Sequence, residues 1–455
     1  MKNTLYWVTN DLRINDNAAL SLAAKSERLL CVYIVDKSWF SARNFQSKHM
    51  DEKRWGFLQD CLEDLYQKLS GLNQQLFIVF GDTLSTLDAL CDKYNISNLI
   101  TTKNPGTYET AILTKLAEYK PDVDIVAIEQ FTLFTQQSLP FNLSALPNSY
   151  SKFKKAVIDT PLLPLAPSIH TLPSQFESID LPAMPLSTMS KPDWLPKKQK
   201  SQHGTITQFK GGERQAQQHL ARYFSSERPN DYQNVRNNLA GWDNSTKLSP
   251  WLAHGCLSAK QVANALLEFE HLHGKNKSTE CLMFELLWRE YFQWVHFSVG
   301  SKMYQFKGIG IKRPLTTFYS ERFYKWCTGS TPYPLVNACM KELATTGYLS
   351  NRGRQIVASC LVNELNIDWR YGAAWFEQNL IDYDTAVNWG NWQYIAGVGV
   401  DPRGGRHFNL KKQTQLYDPD KVYQSKWLRA TETPLQALDS VDAADWPIAE
   451  PCRQE

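Results

Sequence analysis

Residues 1–130 alternate short apolar runs with amphipathic stretches. The runs TLYWV (Thr4–Val8), LLCVYIV (Leu29–Val35), LFIVF (Leu76–Phe80), NLIT (Asn98–Thr101) and DIVAI (Asp124–Ile128) read as buried strands. Between them, Arg54–Leu69, Thr83–Tyr94 and Glu109–Tyr119 carry apolar residues at helical spacing. Strand and helix in alternation predict an α/β domain: a parallel, Rossmann-like sheet with right-handed crossovers and helices on both faces. No G-x-G-x-x-G follows the first strand, which argues against an ordinary dinucleotide site there.

From 131 to 205 the periodicity fades and prolines recur (Pro161, Pro164, Pro167, Pro173, Pro182, Pro185, Pro192, Pro196), as in an extended connector wrapping the surface. Beyond it the pattern is helical throughout 206–430: Glu213–Phe224, Ser258–Phe269, Cys281–Ser298, Val336–Thr345, Asn351–Leu365 and Tyr371–Leu380. An all-α C-terminal domain is expected, followed by a short acidic tail over 431–455.

Composition adds constraints. With 455 residues, two domains and a connector are the natural division. A net charge of +3 makes no case for nucleic acid by itself, so a local patch such as KKQK (Lys197–Lys200) would have to. Nine scattered cysteines without a C-x-x-C pair point to reduced thiols in the cytoplasm and to no metal site. The first strand begins too early for a leader peptide, and no apolar run is long enough to span a bilayer. Fifteen tryptophans concentrate in the second half; bulky core is the plain reading, and their positions decide.

Four segments place polar groups where a helical core would hide apolar ones. NSTKLSPWLAHGCLS (Asn244–Ser258) opens a helix with Ser245, Thr246 and Ser249, which suit either capping or a phosphate. ELLWREYF (Glu285–Phe292) sets Glu285 and Arg289 on one helical face beside Trp288 and Tyr291; a surface ion pair is the plain alternative to a cleft. TGYLSNRGRQIVAS (Thr346–Ser359) crowds Asn351, Arg352, Arg354 and Gln355 at one helix start. LIDYDTAVNWGNWQYIAGVG (Leu380–Gly399) brings Asp382 and Asp384 ahead of Asn388, Trp389, Trp392 and Tyr394. No histidine or third acid accompanies the two aspartates, so pairing of Asp382 with Arg354 is a better reading than a metal.

Together these segments resemble the FAD-binding core of the photolyase and cryptochrome family. The resemblance runs from YWVTNDLRINDNAAL (Tyr6–Leu20) to Trp427, and NRGRQ, WFEQNLIDYD and NWGNWQY look most like the DASH class of cryptochromes. It implies a blue-light flavoprotein that repairs cyclobutane pyrimidine dimers, preferentially in single-stranded DNA, by electron transfer from reduced FAD. By position, Tyr232, Ser245, Thr246, Leu248 and Ser249 would hold the phosphates and adjoining parts of FAD. Glu285 would lie at the cavity edge, and Arg289, Asn351, Arg354, Asp382 and Asp384 would surround the remainder. Asn388 matches the residue facing flavin N5. Glu285, Trp288 and Asn351 match contacts to the dimer.

Gln355 and Tyr394 stand where duplex-acting photolyases have methionine and tryptophan. That wall is less able to offset the few kcal/mol of flipping bases from a duplex. Trp392 and Trp369 match the first two members of an electron-hopping chain; the third position falls near Thr316, where Tyr319, Tyr324 or Trp326 are the nearby aromatic substitutes. Arg352, Arg403, Arg406, Lys411 and Lys412 are candidates for DNA phosphates. The resemblance further implies a folate antenna, 5,10-methenyltetrahydrofolate, with Asp60 as its acid. Single-stranded DNA or RNA are the expected partners of a monomer. A signalling cryptochrome without repair is the main competing reading, and passive nucleic-acid binding the weaker one.

Overall fold

The computed structural model describes residues 3–42, 45, 47–182, 185–196, 208–311, 313–400 and 405–429. Strands β1 (Asn3–Val8), β2 (Arg28–Asp36), β3 (Leu76–Gly81), β4 (Asn98–Thr102) and β5 (Asp124–Ile128) form one parallel sheet in the order β3-β2-β1-β4-β5. Tyr6 of β1 lies opposite Cys31 of β2 and Ile100 of β4. Side-chain alternation then sends Leu5, Trp7, Val32 and Phe77 to the face covered by α3 (Thr83–Lys93) and α4 (Thr107–Tyr119). Tyr6, Val8, Tyr33 and Ile78 turn to the other face, under α1 (Ala18–Ala23) and α2 (Glu52–Ser70). Burial on both faces explains why these strands read as continuous apolar runs.

After α5 (Tyr150–Val157) the chain is helical. The elements are α6 (Glu213–Phe224), α7 (Arg228–Val235), α8 (Ser249–Ala253), α9 (Ala259–His273), α10 (Lys277–Val299), α11 (Ser320–Thr328), α12 (Pro334–Thr346), α13 (Asn351–Ser359), α14 (Trp369–Asn379), α15 (Thr385–Ala396), α16 (Leu410–Tyr417) and α17 (Val422–Arg429). The 23-residue α10 is the spine of the domain, started by a reciprocal cap between Asn276 and Thr279. Trp294, Trp326, Trp369 and Trp392 are fully buried around it. The stretch expected as one helix over Asn351–Leu365 is α13 followed by a π turn, Cys360–Glu364.

The proline-rich part of the connector, from Pro161 to Pro196, runs largely exposed or half-buried, but the stretch before it leaves the surface. Leu133, Phe134, Leu139, Phe153 and Val157 belong to the core of the helical domain. Glu290 of α10 explains the insertion: its carboxylate accepts from Leu133 N (2.7 Å), Phe134 N (3.2 Å) and Trp294 Nε1 (2.7 Å). Buried backbone donors thereby find a partner away from any helix or sheet.

The two domains are locked together along the α2 face. Glu213, fully buried at the start of α6, accepts from Ile14 N, Asn15 N and Lys68 Nζ. Gly255 follows α8 at φ +69°, and a Cβ there would lie 1.9 Å from the Asn10 carbonyl oxygen, so only glycine permits this approach. Next to it, His254 pairs through Nε2 with Ile381 O at 3.1 Å.

Burial pushes His254 and His296 down to about 4. Each then binds fewer protons folded than unfolded, so stability is full above roughly pH 6.5 and declines as the pH falls towards 4. Burial also pushes Glu290 and Glu342 up to about 7, which favours the folded state as the pH falls and offsets the histidines between pH 7 and pH 5, so the histidine contribution of about 2 kcal/mol each is read by comparing variants. Between urea titrations at pH 7 and pH 5, the stability change of His254→Gln, whose amide still reaches Ile381 O, should be about 2 kcal/mol more favourable than that of wild type.

The eight cysteines among the described residues are free thiols, and no metal-binding cluster occurs among those residues. None of the described helices is long and apolar enough to cross a membrane.

Candidate functional site

Two cavities share walls in the helical domain. The outer one, about 160 Å³, is lined by Arg236, Asn238, Asn244, Ser245, Lys247, Tyr348, Ser350 and Asn351, together with Tyr232, Thr246, Ser249 and Glu285. The last four also line the inner cavity, about 210 Å³, whose walls are Leu248, Leu252, Leu266 and Leu286. At its far side stand Arg289, Arg354, Asp382, Asp384 and Val387. The predicted cofactor residues Tyr232, Ser245, Thr246, Leu248, Ser249, Glu285, Arg289, Asn351, Arg354, Asp382 and Asp384 therefore meet in one place, although they come from α7 to α15.

Local structure fixes the polar groups. Arg354 Nη2 donates to both oxygens of Asp382 (3.0 and 2.7 Å), and Ser249 Oγ donates to the same carboxylate at 2.7 Å. Asp384 caps α15 through Val387 N, and both its oxygens accept from Gln293 Nε2 (2.8 and 2.7 Å), with Arg289 Nη2 at 3.6 Å. Arg289 also donates to Phe131 O, so the connector braces the site. Burial alone would lower the Arg354 pKa, but Asp382 beside it holds the guanidinium above its ordinary value.

FAD fits this donor set. The side-chain hydroxyls of Ser245 and Thr246 make no hydrogen bond among the described residues and line the outer cavity with Lys247, a natural place for phosphate oxygens. The leucine walls suit flat rings, while Asp382 and Asp384 offer acceptors for ring N–H and ribose hydroxyls.

Of the other predicted residues, Trp288, Gln355, Tyr394 and Asn388 line neither cavity. Glu285 is ion-paired with Arg236 at the shared wall. Trp288 stacks on Tyr150 (3.7 Å between centroids, 12°) and meets Tyr394 edge-on at 6.0 Å. Gln355 has a buried Oε1 without a partner, while the Tyr394 hydroxyl accepts from Arg406 Nη2 at 2.7 Å. Asn388 is buried and donates to Ala373 O at 3.0 Å.

Trp392 packs edge-on to Phe376 (5.1 Å) and Trp326 (6.3 Å), whereas Trp369 packs on Trp389 at 5.7 Å. A Cβ on Gly372 would lie 2.2 Å from the Trp392 ring. We expect Gly372→Ala to displace that indole and slow flavin photoreduction while leaving FAD bound, as absorbance under blue light would record.

Arg352 donates to Asn237 Oδ1 and lies over Tyr417, and Lys411 and Lys412 are exposed on α16. Arg403 and Lys197–Lys200 fall outside the described residues. Asp60 is exposed on α2, with Oδ2 accepting from Gly211 N at 3.4 Å. Sequence reasoning missed Arg236, Lys247 and Gln293. For Arg236 a signal existed, since it lies four residues beyond Tyr232 at the end of α7; Gln293 is four beyond Arg289 on α10.

Fold and site define a flavoprotein of photolyase type. Residues 4–173 match the model described as DNA photolyase, and 282–445 that of the FAD binding domain of DNA photolyase. The chain is 44% identical to the Cryptochrome DASH of Idiomarina loihiensis over 98% of its length and 96% of the relative's. For the Cryptochrome DASH of Vibrio parahaemolyticus the figures are 41%, 98% and 97%. The crystal structure of the Synechocystis cryptochrome superposes with a TM-score of 0.88 at 33% identity, covering 99% of this chain and 96% of that one. The chain belongs to the photolyase and cryptochrome family, in its DASH class.

Proposed function

We propose that the protein repairs cyclobutane pyrimidine dimers, with single-stranded DNA as the preferred substrate and blue light as the energy source. The observation that supports this most is the continuity of the two cavities: Glu285 lines both the polar mouth and the pocket that fits FAD. Reduced FAD, when bound, supplies the electron that opens the cyclobutane ring and takes it back afterwards.

The chain's own residues do the rest. Ser245, Thr246 and Ser249 bind, while Asp382, Arg354, Asp384 and Arg289 orient the cofactor. Asn388 would face the flavin edge, where its amide could hydrogen-bond either protonation state. Glu285 and Asn351 hold the polar edges of a flipped dimer, and Trp288 stacks against it. Gln355, whose buried carbonyl oxygen has no partner, is assigned to the same wall. Arg352, Arg403, Arg406, Lys411 and Lys412 are assigned to the strand's phosphates. A folate antenna, with Asp60 as its acid, belongs to this reading on family resemblance alone. So do RNA as a further ligand, a monomeric state and a cytoplasmic location.

Substrate preference is testable in the dark. Fluorescence anisotropy with a labelled oligothymidylate carrying one dimer should give tighter binding for the single strand than for its duplex. Equal or tighter duplex binding would contradict the preference.

A further inference from the structure

The third position of the family's hopping chain, Thr316, cannot be oxidised, and its hydroxyl is buried without a partner. A different series of rings continues from Trp369. Trp389 packs edge-on to Trp369 at 5.7 Å, and Tyr304 packs edge-on to Trp389 at 4.8 Å. The Tyr304 hydroxyl meets His296 Nε2 at 3.1 Å. Trp389 and Trp392 are three residues apart on α15 and so neighbour each other along one helix face. The Trp392 ring in turn lies on Gly372, one turn beyond Trp369 in α14.

We propose that Tyr304 and His296 form the terminal electron donor for light-driven flavin reduction, in place of the missing third aromatic. The proposal rests on the reading that FAD occupies the paired cavities. Trp392 gives one electron to the photoexcited flavin. The vacancy passes by way of Trp369 and Trp389, and Tyr304 fills it by giving up one electron. The phenolic proton moves along the existing hydrogen bond to His296 Nε2. One electron has reached the flavin; one neutral tyrosyl radical and one imidazolium remain, so charge and protons balance.

The surroundings suit this role. In the tautomer with its hydrogen on Nδ1, which has no partner, His296 accepts from the Tyr304 hydroxyl through Nε2; Thr107 is the other hydrogen-bonding group at that hydroxyl. Burial holds His296 neutral at physiological pH, so the acceptor is vacant before the flash. An oxidised phenol without such a base would have to keep its proton or release it slowly to water. Separating the proton from the radical opposes return of the electron and prolongs the reduced state.

The test is a light flash on the FAD-loaded protein, read by electron paramagnetic resonance and transient absorbance. Wild type is expected to show a tyrosyl radical formed more slowly in D2O than in H2O. Tyr304→Phe should lose that signal and show a tryptophanyl radical that decays faster. Because phenylalanine keeps the ring contact with Trp389, the variant is expected to fold and hold FAD. A tyrosyl signal unchanged in Tyr304→Phe but lost in Trp326→Phe would overturn the proposal and move the route to Trp326. Full photoreduction in Trp392→Phe would instead refute the underlying assignment of the flavin's first donor.

Discussion

Asp382→Ala is expected to yield a folded but flavin-free protein. The substitution removes the acceptor of both Ser249 and Arg354 and leaves a guanidinium without its carboxylate partner. The Asp382 side chain is 2% exposed and that of Arg354 25%, so the loss falls near the lower end for breaking a buried pair, about 3 kcal/mol. FAD loses an anchor and the cavity its shape at once. Flavin content after purification, read from absorbance, checks the first effect and the urea midpoint the second. Stoichiometric FAD in the variant would show that the aspartate side of the inner cavity is not where the cofactor is held.

Glu285→Ala should act on the opposite side of the site. FAD should remain, because the Asp382 and Asp384 anchors are intact, whereas repair should fall by about a hundredfold, the usual cost of deleting one positioned polar group. Glu285 also neutralises Arg236 at the cavity mouth, so the variant presents an unpaired cation there. We therefore expect undamaged single strands to bind at least as well as to wild type, while discrimination in favour of the dimer is lost. Rates with chemically reduced protein under saturating light separate this effect from photoreduction. Full activity would remove Glu285 from the chemistry.

Much of this was legible from the chain. Strands buried on both faces leave uninterrupted apolar runs, and all five observed strands coincide with such runs to within about two residues. Helix α6 likewise spans Glu213–Phe224, because its apolar residues follow one stripe. Helix α15 has no narrow stripe: Ala386, Asn388, Gly390 and Gln393 are buried as well as Trp389, Trp392 and Ile395, over more than half its circumference, so periodicity could not reveal it although its motif could. The insertion of Leu133 and Phe134 beneath α10 depends on Glu290, more than 150 residues away, and no local pattern announces such a contact. In the site, the pairing of Arg354 with Asp382 followed from composition and spacing. The Arg236–Glu285 pair did not, since its partners are 49 positions apart and each reads alone as a surface charge. The aromatic series from Trp369 to Tyr304 was hidden for the same reason; its rings come from α14, α15 and the turn after α10.

The most direct measurement of the central claim uses the purified protein, chemically reduced, with a single-stranded oligothymidylate that carries cyclobutane dimers. Recovery of thymine absorbance is followed under blue light, in the dark, and with a duplex alongside. The account predicts recovery that requires light and is strong on the single strand and weak on the duplex. No recovery despite bound and reducible FAD would contradict it and make the protein a light receptor in place of a repair enzyme.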